Sequence, residues 1–185
     1  PLSALRLLAP LGAPQEMLAA LEQVKAGGAP FSAERVAVLE RLSGMILRDQ
    51  RLRRSPCSAA MGFWLRRAHL AVLREQYERS IPPDTLRVPA GIVLHIAPAN
   101  VDTMFILSWA LSFLAGNINI VRLTSRTNES VEDLLRCLNE CWREAPDALA
   151  GNWFITYEHN DAITAHFSQR CDTRAIWGGD ETIRR

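Results

Sequence analysis

The stretch VPAGIVLHIAPANVDTMFILSWALSFLAGNINIVRLTSR, residues 88–126, decides the fold of this chain. It holds two apolar, β-branched runs, GIVLHIAP at 91–98 and INIVRL at 118–123, on either side of a predicted helix at about 102–115. Continuous runs of this kind are typical of strands that are buried on both faces of a parallel sheet. The helix is predicted to end at Gly116-Asn117, a common stop signal. A strand, a helix and a second strand in this order predict a right-handed parallel crossover.

The same order of elements continues after residue 126. A second helix is predicted from 128 to about 141, the strand WFITY at 153–157, a third helix at 161–168, and a fourth strand within RAIWGG at 174–179. The turns between these elements are only a few residues long. Strands that alternate with helices in this way predict an α/β fold with a doubly wound, Rossmann-like parallel sheet.

The first 85 residues follow a helical pattern instead. Helices are predicted at 14–26 and from the N-cap Ser32 to about residue 49. A third is predicted at about 57–79, and its inward-facing residues would be Met61, Trp64, Leu65, Ala68, Leu70 and Leu73. Residues 86–89 are predicted to form a short extended piece. The sequence therefore predicts a mainly helical N-terminal layer, 1–85, and a partial cofactor-binding region, 86–185.

The composition is typical of a globular protein with one sizeable core, since 48% of the 185 residues are hydrophobic and 22% are charged. The net charge of +1 does not favour nucleic acid as a partner, although 20 of the 21 basic residues are arginines and Lys25 is the only lysine. No signal peptide is visible, and the apolar run at 104–115 is too short to span a bilayer. These features predict a cytoplasmic protein without a membrane span.

The four cysteines do not form a recognisable metal or redox motif. Cys57, Cys137, Cys141 and Cys171 include no C-x-x-C pair, and no histidines stand at zinc spacing from them. We therefore predict no metal site, and we expect these thiols to be small buried side chains in a reducing cytosol.

Candidate binding residues come from the strand ends, because ligands of open parallel sheets bind beyond the carboxyl ends of the strands. The segments at 97–100, 122–126, 158–160 and 177–180 would meet there. Arg122, Ser125 and Arg126 offer guanidinium groups and a hydroxyl that suit a ribose or a phosphate. Gly178 and Gly179 would let the backbone approach a phosphate, although an ordinary turn explains a glycine pair equally well. Neither G-x-G-x-x-G nor a P-loop motif occurs.

Asn100 stands out because it is a polar residue at the turn between the first strand and its helix. Its amide could cap the helix, as asparagine often does at such turns. Alternatively, its side-chain N–H could stabilise an oxyanion that develops when a carbonyl is attacked. The pattern of the residues alone leaves both interpretations open.

Three separated segments carry a resemblance to a known family: VPAGIVLHIAPANV at 88–101, SWALSFLAGNINIVRLTSR at 108–126 and IWGGDETIRR at 176–185. Together they resemble the acyl-CoA reductase family, whose namesake is the reductase component of the bacterial lux fatty-acid reductase. That family is similar to a branch of the aldehyde dehydrogenase superfamily. The resemblance covers about residues 86–185, and the helical part agrees in layout only.

The resemblance implies roles for individual residues. Asn100 matches an asparagine that stabilises a thiohemiacetal oxyanion together with a backbone N–H. Arg122 lies where the superfamily has a lysine that contacts the adenosine ribose. Ser125 and Arg126 would flank that ribose, and a contact between Arg126 and a 2′-phosphate would favour NADPH over the alternative coenzyme, NADH.

The other implied cofactor contacts lie at the ends of the first and fourth strands. Ala97, Pro98 and Gly178 would lie against the cofactor, and Gly179 and Asp180 match the glycine-serine turn at its pyrophosphate. The aspartate departs from that pattern, because it would place a negative charge near phosphate.

The implied activity is the NADPH-dependent reduction of long-chain acyl-CoA, or an acyl-protein, to an aldehyde through a cysteine thioester. The implied nucleophilic cysteine lies downstream of residue 185. The chain would then be an N-terminal fragment, inactive alone, with an incomplete sheet and no catalytic domain. The family further implies an oligomer with acyl-transferase and synthetase subunits, as in bioluminescence.

Three alternatives stay open. The first is an aldehyde dehydrogenase that oxidises aldehyde to acid. The second is a non-catalytic nucleotide-binding or interaction module. The third is an unrelated α/β domain in which Asn100 and Gly179 serve only as a cap and a turn.

Overall fold

The structure is a computed structural model and describes residues 4–24, 27–98 and 100–178. The strands in this part of the chain are β1 (Arg6–Ala9), β2 (Ile92–Ile96), β3 (Ile118–Leu123), β4 (Asn152–Thr156) and β5 (Thr173–Ile176). The helices in the first half are α1 (Pro14–Gln23), α2 (Ala33–Arg48), α3 (Gln50–Arg54), α4 (Pro56–Trp64) and α5 (Arg67–Arg79). Those in the second half are α6 (Met104–Leu114), α7 (Glu129–Glu144) and α8 (Asp161–Ser168).

The strands form one sheet in the order β1-β4-β3-β2-β5. The four strands that the sequence predicts, β2 to β5, are all present and pair with one another in parallel. The chain steps from β2 through β3 to β4 and then returns to place β5 on the other side of β2. This reversal makes the carboxyl ends of β2 and β5 a topological switch point, the place where α/β sheets bind ligands. The predicted α/β fold class with a Rossmann-like parallel sheet is confirmed.

The edge strand β1 was not predicted, because the first 85 residues follow a mainly helical pattern. Arg6 and Leu7 pair antiparallel with Thr156 and Ile155 of β4, so the sheet is mixed. A four-residue strand has too little sequence pattern of its own, and it forms because β4 offers it an unpaired edge. The side chain of Asn139 secures this strand by donating a hydrogen bond to the Leu8 carbonyl, over 2.8 Å.

Helices cover both faces of the sheet, as the continuous apolar strands require. One core lies between the sheet and helices α1 and α8, and it includes Met17, Leu94, Ile163 and Phe167. The larger core lies on the other face, under α6 and α7, and the N-terminal helices α2, α4 and α5 extend it. The two cores hold the sheet in place from both faces. The carboxyl ends of β2, β3 and β5 therefore lie side by side at one edge of a well-packed sheet.

Two local predictions need correction. The single helix predicted at 57–79 is two helices, α4 and α5, with the fully buried Leu65 between them. The His69 ring nitrogen Nδ1 lies 2.8 Å from the Trp64 carbonyl oxygen and satisfies a group that the break frees. Ala68 is consequently exposed and does not face inward. Residues 86–89 belong to no strand of the described sheet, and the side chains of Leu86 and Val88 are exposed.

Helix α6 ends where the sequence predicts. Gly116 has a φ of 90°, a left-handed conformation that glycine adopts without strain. A Cβ atom at this position would collide with the backbone carbonyl of Gly28. The turn therefore allows the N-terminal layer to approach the end of α6 closely.

Within residues 4–24, 27–98 and 100–178, the helices are all too short or too polar to cross a lipid bilayer.

Candidate functional site

The ends of three neighbouring strands form the site edge. The Trp177 backbone N–H, just after β5, donates to the Ile96 carbonyl of β2 over 3.0 Å. The Ala97 N–H, just after β2, donates to the Arg122 carbonyl of β3 over 3.1 Å. These bonds hold the three loops that follow the strands side by side. They bring together the segments that the sequence analysis singles out after the first, second and fourth predicted strands.

Asn100 lies in an exposed bend and does not cap α6. The helix begins four residues later, at Met104, and its N-cap is Thr103. Among the described residues, the Asn100 side chain has no hydrogen-bond partner. The cap interpretation is therefore wrong, and the exposed side chain of Asn100 lies in the loop that follows β2.

Two other asparagines at the same edge do act as caps. Asn128 accepts a hydrogen bond from the Val131 N–H over 3.0 Å at the start of α7. Asn160 accepts one from the Ile163 N–H over 3.1 Å at the start of α8. The contrast shows that the geometry of each turn, and not the residue type, separates Asn100 from these caps.

Ala97, Pro98 and Arg126 line one small cleft at this edge, together with Asp102, Phe105, Leu123, Thr124, Asn128 and Val131. Asn128 closes its outer side by donating a hydrogen bond to the Asp102 carboxylate over 2.8 Å. The cleft volume is about 30 Å³, which suits a water molecule and not a nucleotide. A dinucleotide would therefore lie along the open edge of the sheet, with this cleft beneath it.

Arg122 points to the opposite face of the sheet, toward α8. Its guanidinium carbon lies 4.8 Å from the centre of the Tyr157 ring, a favourable cation–π distance. Its Nε atom is buried and, among the described residues, has no hydrogen-bond partner. A buried, unpartnered donor on a cation is costly without a ligand or a water molecule. Arg122 therefore suits a polar or anionic ligand that reaches the end of β3.

The other predicted cofactor residues are spread along the edge. Ser125 and Arg126 are exposed in the loop after β3. Arg126 lines the cleft with Phe105 of α6 and Val131 of α7, whereas Arg122 lies against Tyr157 on the α8 side. Gly178 is exposed directly after β5. Gly179 and Asp180 lie outside the described residues.

Three of the four thiols are poor nucleophiles. Burial raises the pKa of Cys137 to about 11 and that of Cys141 to about 12, because the thiolate would lose its hydration. Burial also raises the pKa of Cys171. Cys57 is exposed, in the first turn of α4. Only the thiolate is reactive, so Cys137, Cys141 and Cys171 are unsuited to thioester chemistry near neutral pH.

A buried chain of polar side chains, which was not predicted from the sequence, lies behind the site. His95, in β2, lies between two partners: its Nδ1 is 2.7 Å from the Ser108 hydroxyl oxygen and its Nε2 is 3.0 Å from Asn119 Oδ1. The Asn119 amide nitrogen donates to Asn152 Oδ1 over 2.8 Å. Trp177 donates its indole N–H to the same Ser108 oxygen over 2.8 Å. The signal in the sequence was a polar residue, His95, Asn119 or Asn152, within each of three mainly apolar strands.

The direction of each hydrogen bond along this row of polar side chains follows from the groups at the two ends of the row. Asn119 uses its nitrogen as a donor, to Asn152 and to the Asn117 carbonyl, so its oxygen must accept from His95 Nε2–H. Nδ1 of a neutral imidazole is then an acceptor and takes the Ser108 hydroxyl proton. The Ser108 oxygen in turn accepts from Trp177. Every member is satisfied only while His95 is neutral.

A pH dependence of stability follows from His95. Its pKa is lowered because burial disfavours the imidazolium, although the bond to Asn119 offsets part of this effect. Below a pH of about 6.5 the unfolded chain binds a proton that the folded chain resists. We expect the free energy of unfolding to decrease as the pH falls through this range, by up to about 1.4 kcal/mol per pH unit for one histidine.

Urea unfolding between about pH 7.5 and 5.5, a window chosen around the ordinary histidine pKa, measures this slope. His95→Gln should flatten most of it. The matched variant is His166→Gln, because burial also lowers the pKa of the more exposed His166 and a smaller change is expected there. An unchanged slope in His95→Gln would show that the pH dependence has another origin.

The sequence of this chain is similar to that of a known family. The model of the family described as acyl-CoA reductase (LuxC) matches residues 65–185. No curated protein matches the chain significantly.

Solved structures of low sequence identity show the same fold. An aldehyde dehydrogenase from Bacillus cereus, solved as a point mutant, has a TM-score of 0.61 and 15% identity, over 92% of this chain and 40% of that one. An NAD+ complex of aldehyde dehydrogenase from Bacillus cereus has a TM-score of 0.54 and 16% identity, with the same coverage. The glyceraldehyde-3-phosphate dehydrogenase GapN of Methanocaldococcus jannaschii, complexed with NADP, has a TM-score of 0.52 and 13% identity, over 92% and 47%. The chain thus spans less than half the length of these structures.

Proposed function

Because the chain belongs to the acyl-CoA reductase (LuxC) family, we propose that it is the cofactor-binding part of an enzyme that reduces long-chain acyl-CoA to aldehyde with NADPH. The observation that carries this proposal is the exposed amide of Asn100, which lies in the loop between β2 and α6 and has no hydrogen-bond partner among the described residues. An uncommitted side-chain donor at that place suits the stabilisation of an oxyanion. The division into a helical region, 1–85, and a cofactor-binding region, 86–185, belongs to the same proposal.

The residues at the edge fit a dinucleotide. Arg122 provides a half-buried cation on one side of β3, and its Nε has no partner in the described part of the chain. Arg126 provides an exposed cation on the other side. We assign the ribose to Arg122 and Ser125, and the 2′-phosphate to Arg126. Ala97, Pro98, Gly178 and Gly179 would form the backbone floor beneath the cofactor. When bound, the reduced nicotinamide cofactor supplies the hydride.

The nucleophile is proposed to come from outside these 185 residues, since the thiols of Cys137, Cys141 and Cys171 are protonated near neutral pH. A cysteine thiolate would attack the acyl-CoA carbonyl, form a new C–S bond and release the thiol of CoA, which takes up one proton. The acyl-enzyme would then accept a hydride at the carbonyl carbon, and the C–S bond would break to release the aldehyde and the thiolate.

Asn100 has one task in both stages. Its N–H groups would donate to the carbonyl oxygen while that oxygen carries negative charge, and they would release it when the carbonyl re-forms. A cytoplasmic location, an acyl-protein as an alternative acyl donor, and an oligomer with acyl-transferase and synthetase subunits in a bioluminescence pathway are further parts of the proposal that follow from the family.

Calorimetric titration of the full-length protein with NADPH and with NADH tests the assignment of the two arginines. Arg126→Gln should weaken NADPH binding about tenfold or more and leave NADH binding unchanged, because only NADPH carries the 2′-phosphate. Arg122→Gln should weaken both coenzymes, because both carry the adenosine ribose. Arg54→Gln, an exposed arginine on α3, is the matched control and should bind both coenzymes as the wild type does.

Other outcomes would favour the alternatives. A folded wild-type protein that binds neither coenzyme would support a scaffold or interaction module. Turnover of aldehyde to acid with the oxidised coenzyme, without turnover of acyl-CoA, would support an aldehyde dehydrogenase.

A further inference from the structure

Trp177 is an aromatic side chain at the switch point that the proposed function does not use. It directly follows β5, beside the end of β2, and 38% of its surface is exposed. The neighbouring aromatic residues of the same edge, Phe105 and Tyr157, are buried. An exposed tryptophan at this place therefore offers the edge a flat apolar surface that its neighbours do not.

The buried row of polar side chains behind the site fixes the orientation of the Trp177 ring. The Trp177 indole N–H donates to Ser108, Ser108 donates to His95, and His95 donates to Asn119, over distances of 2.7–3.0 Å. Asn119 is anchored in turn by Asn152, which accepts a second bond from the Trp109 indole over 2.9 Å. A half-exposed side chain is normally free to change its rotamer. Here its polar edge is tied to a satisfied network that spans β2, β3, β4 and α6.

The location of the ring identifies what it would contact. Across the edge the strands run β3, β2, β5, so Arg122, Asn100 and Trp177 follow in that order. In the proposed function, the ribose of the adenosine half lies at Arg122 and the reacting carbonyl lies at Asn100. The ring that delivers hydride to that carbonyl would lie beside Asn100, and Trp177 directly follows β5, the strand next to β2.

We propose that Trp177 is a cofactor-binding residue whose fixed indole face stacks against the nicotinamide ring, and that Ser108 is the positioning residue that holds it there. The inference rests on the proposed function and adds to it the place of the reacting half of the cofactor. Stacking between flat aromatic rings needs no complementary charge, which suits a ring whose charge changes on hydride transfer.

Binding of two probes to the full-length protein tests this inference: NADPH, and 2′,5′-ADP, which lacks the nicotinamide half. Trp177→Ala should weaken NADPH binding about tenfold, as the loss of one stacking partner does for nucleic-acid bases, and leave 2′,5′-ADP binding unchanged. Trp177→Gln is the second variant. It keeps an N–H donor for Ser108 but removes the ring, so the same selective loss is expected.

A double-mutant cycle tests the role of Ser108. Ser108→Ala should weaken NADPH binding about threefold in the wild-type background, because the indole loses its anchor. In the Trp177→Phe background, which has no indole N–H, Ser108→Ala should not weaken binding further. A merely structural role of Ser108 would reduce binding equally in both backgrounds. Phe63→Ala, at an exposed aromatic on α4, is the control for the loss of a ring elsewhere.

Three results would overturn the inference. Equal affinity of the wild type and both Trp177 variants for NADPH would exclude stacking while leaving the proposed function intact. Equal weakening of NADPH and 2′,5′-ADP would show general damage to the site and not a ring contact. A folded wild type that binds neither probe would overturn the inference together with the proposed function.

Discussion

Asn100→Ala in the full-length protein is expected to lower kcat by about 100- to 1,000-fold and to leave the affinity for NADPH unchanged. The amide of Asn100 is exposed, is not used as a helix cap and, among the described residues, has no hydrogen-bond partner. Its removal therefore breaks no described contact of the folded protein. The cost appears only when the oxyanion forms, so the rate falls while coenzyme binding and stability do not.

Steady-state assays with acyl-CoA, coenzyme titration and urea unfolding measure the three quantities. The matched control is Asn160→Ala, which removes an asparagine that caps α8 at the same sheet edge. This control should lose about 1 kcal/mol of unfolding free energy and keep its kcat, the opposite pattern. If Asn100→Ala lost stability instead of rate, Asn100 would be a structural residue and the proposed oxyanion donor would be wrong.

Phe154→Ala is expected to lower the free energy of unfolding by about 3–5 kcal/mol. Phe154 is fully buried in β4, and its ring packs edge-on against Phe105, Trp109 and Trp142, with ring centres 5.4–6.0 Å apart. These partners belong to α6 and α7, so the ring joins both helices to the sheet. Truncation would leave a cavity at this joint that the rigid sheet cannot close.

Urea unfolding followed by far-UV circular dichroism measures the loss. Phe154→Leu keeps most of the volume and should lose only about 1 kcal/mol, which gives a folded variant if the alanine variant does not fold. Phe63→Ala is the surface control, since the Phe63 side chain is 52% exposed, and it should change stability by less than about 0.5 kcal/mol. A small loss in Phe154→Ala would mean that the cluster repacks around the missing ring.

Much of the parallel sheet could be predicted because its signals are local. The runs that became β2 and β3 are apolar throughout, and each is followed by a turn and a helix with its own stop or cap, such as Gly116 after α6. Right-handed crossovers then leave few ways to arrange the strands. The location of the candidate site followed from the same rule, because the carboxyl ends of parallel strands share one edge.

The break between α4 and α5 and the strand β1 could not be predicted in the same way. The helical pattern at 57–79 continues across the break, and the buried Leu65 and the bond from His69 to Trp64 become evident only in the packed molecule. The four residues of β1 pair with β4, which lies more than 140 residues later in the chain. Local propensity carries no information about such a partner.

The sequence by itself determined the α/β class, the four parallel strands and the edge at which Asn100, Arg122 and Gly178 lie, because burial on both strand faces and short turns are written in local patterns. Only the tertiary structure decided that Asn100 does not cap α6, and that Arg122 lies on the α8 side of the sheet, unlike Arg126. It alone decided that His95 ties Trp177 to the core through Ser108. These properties depend on which side chains from distant strands face each other. The strand register decides this, and the packing of the whole sheet sets the register.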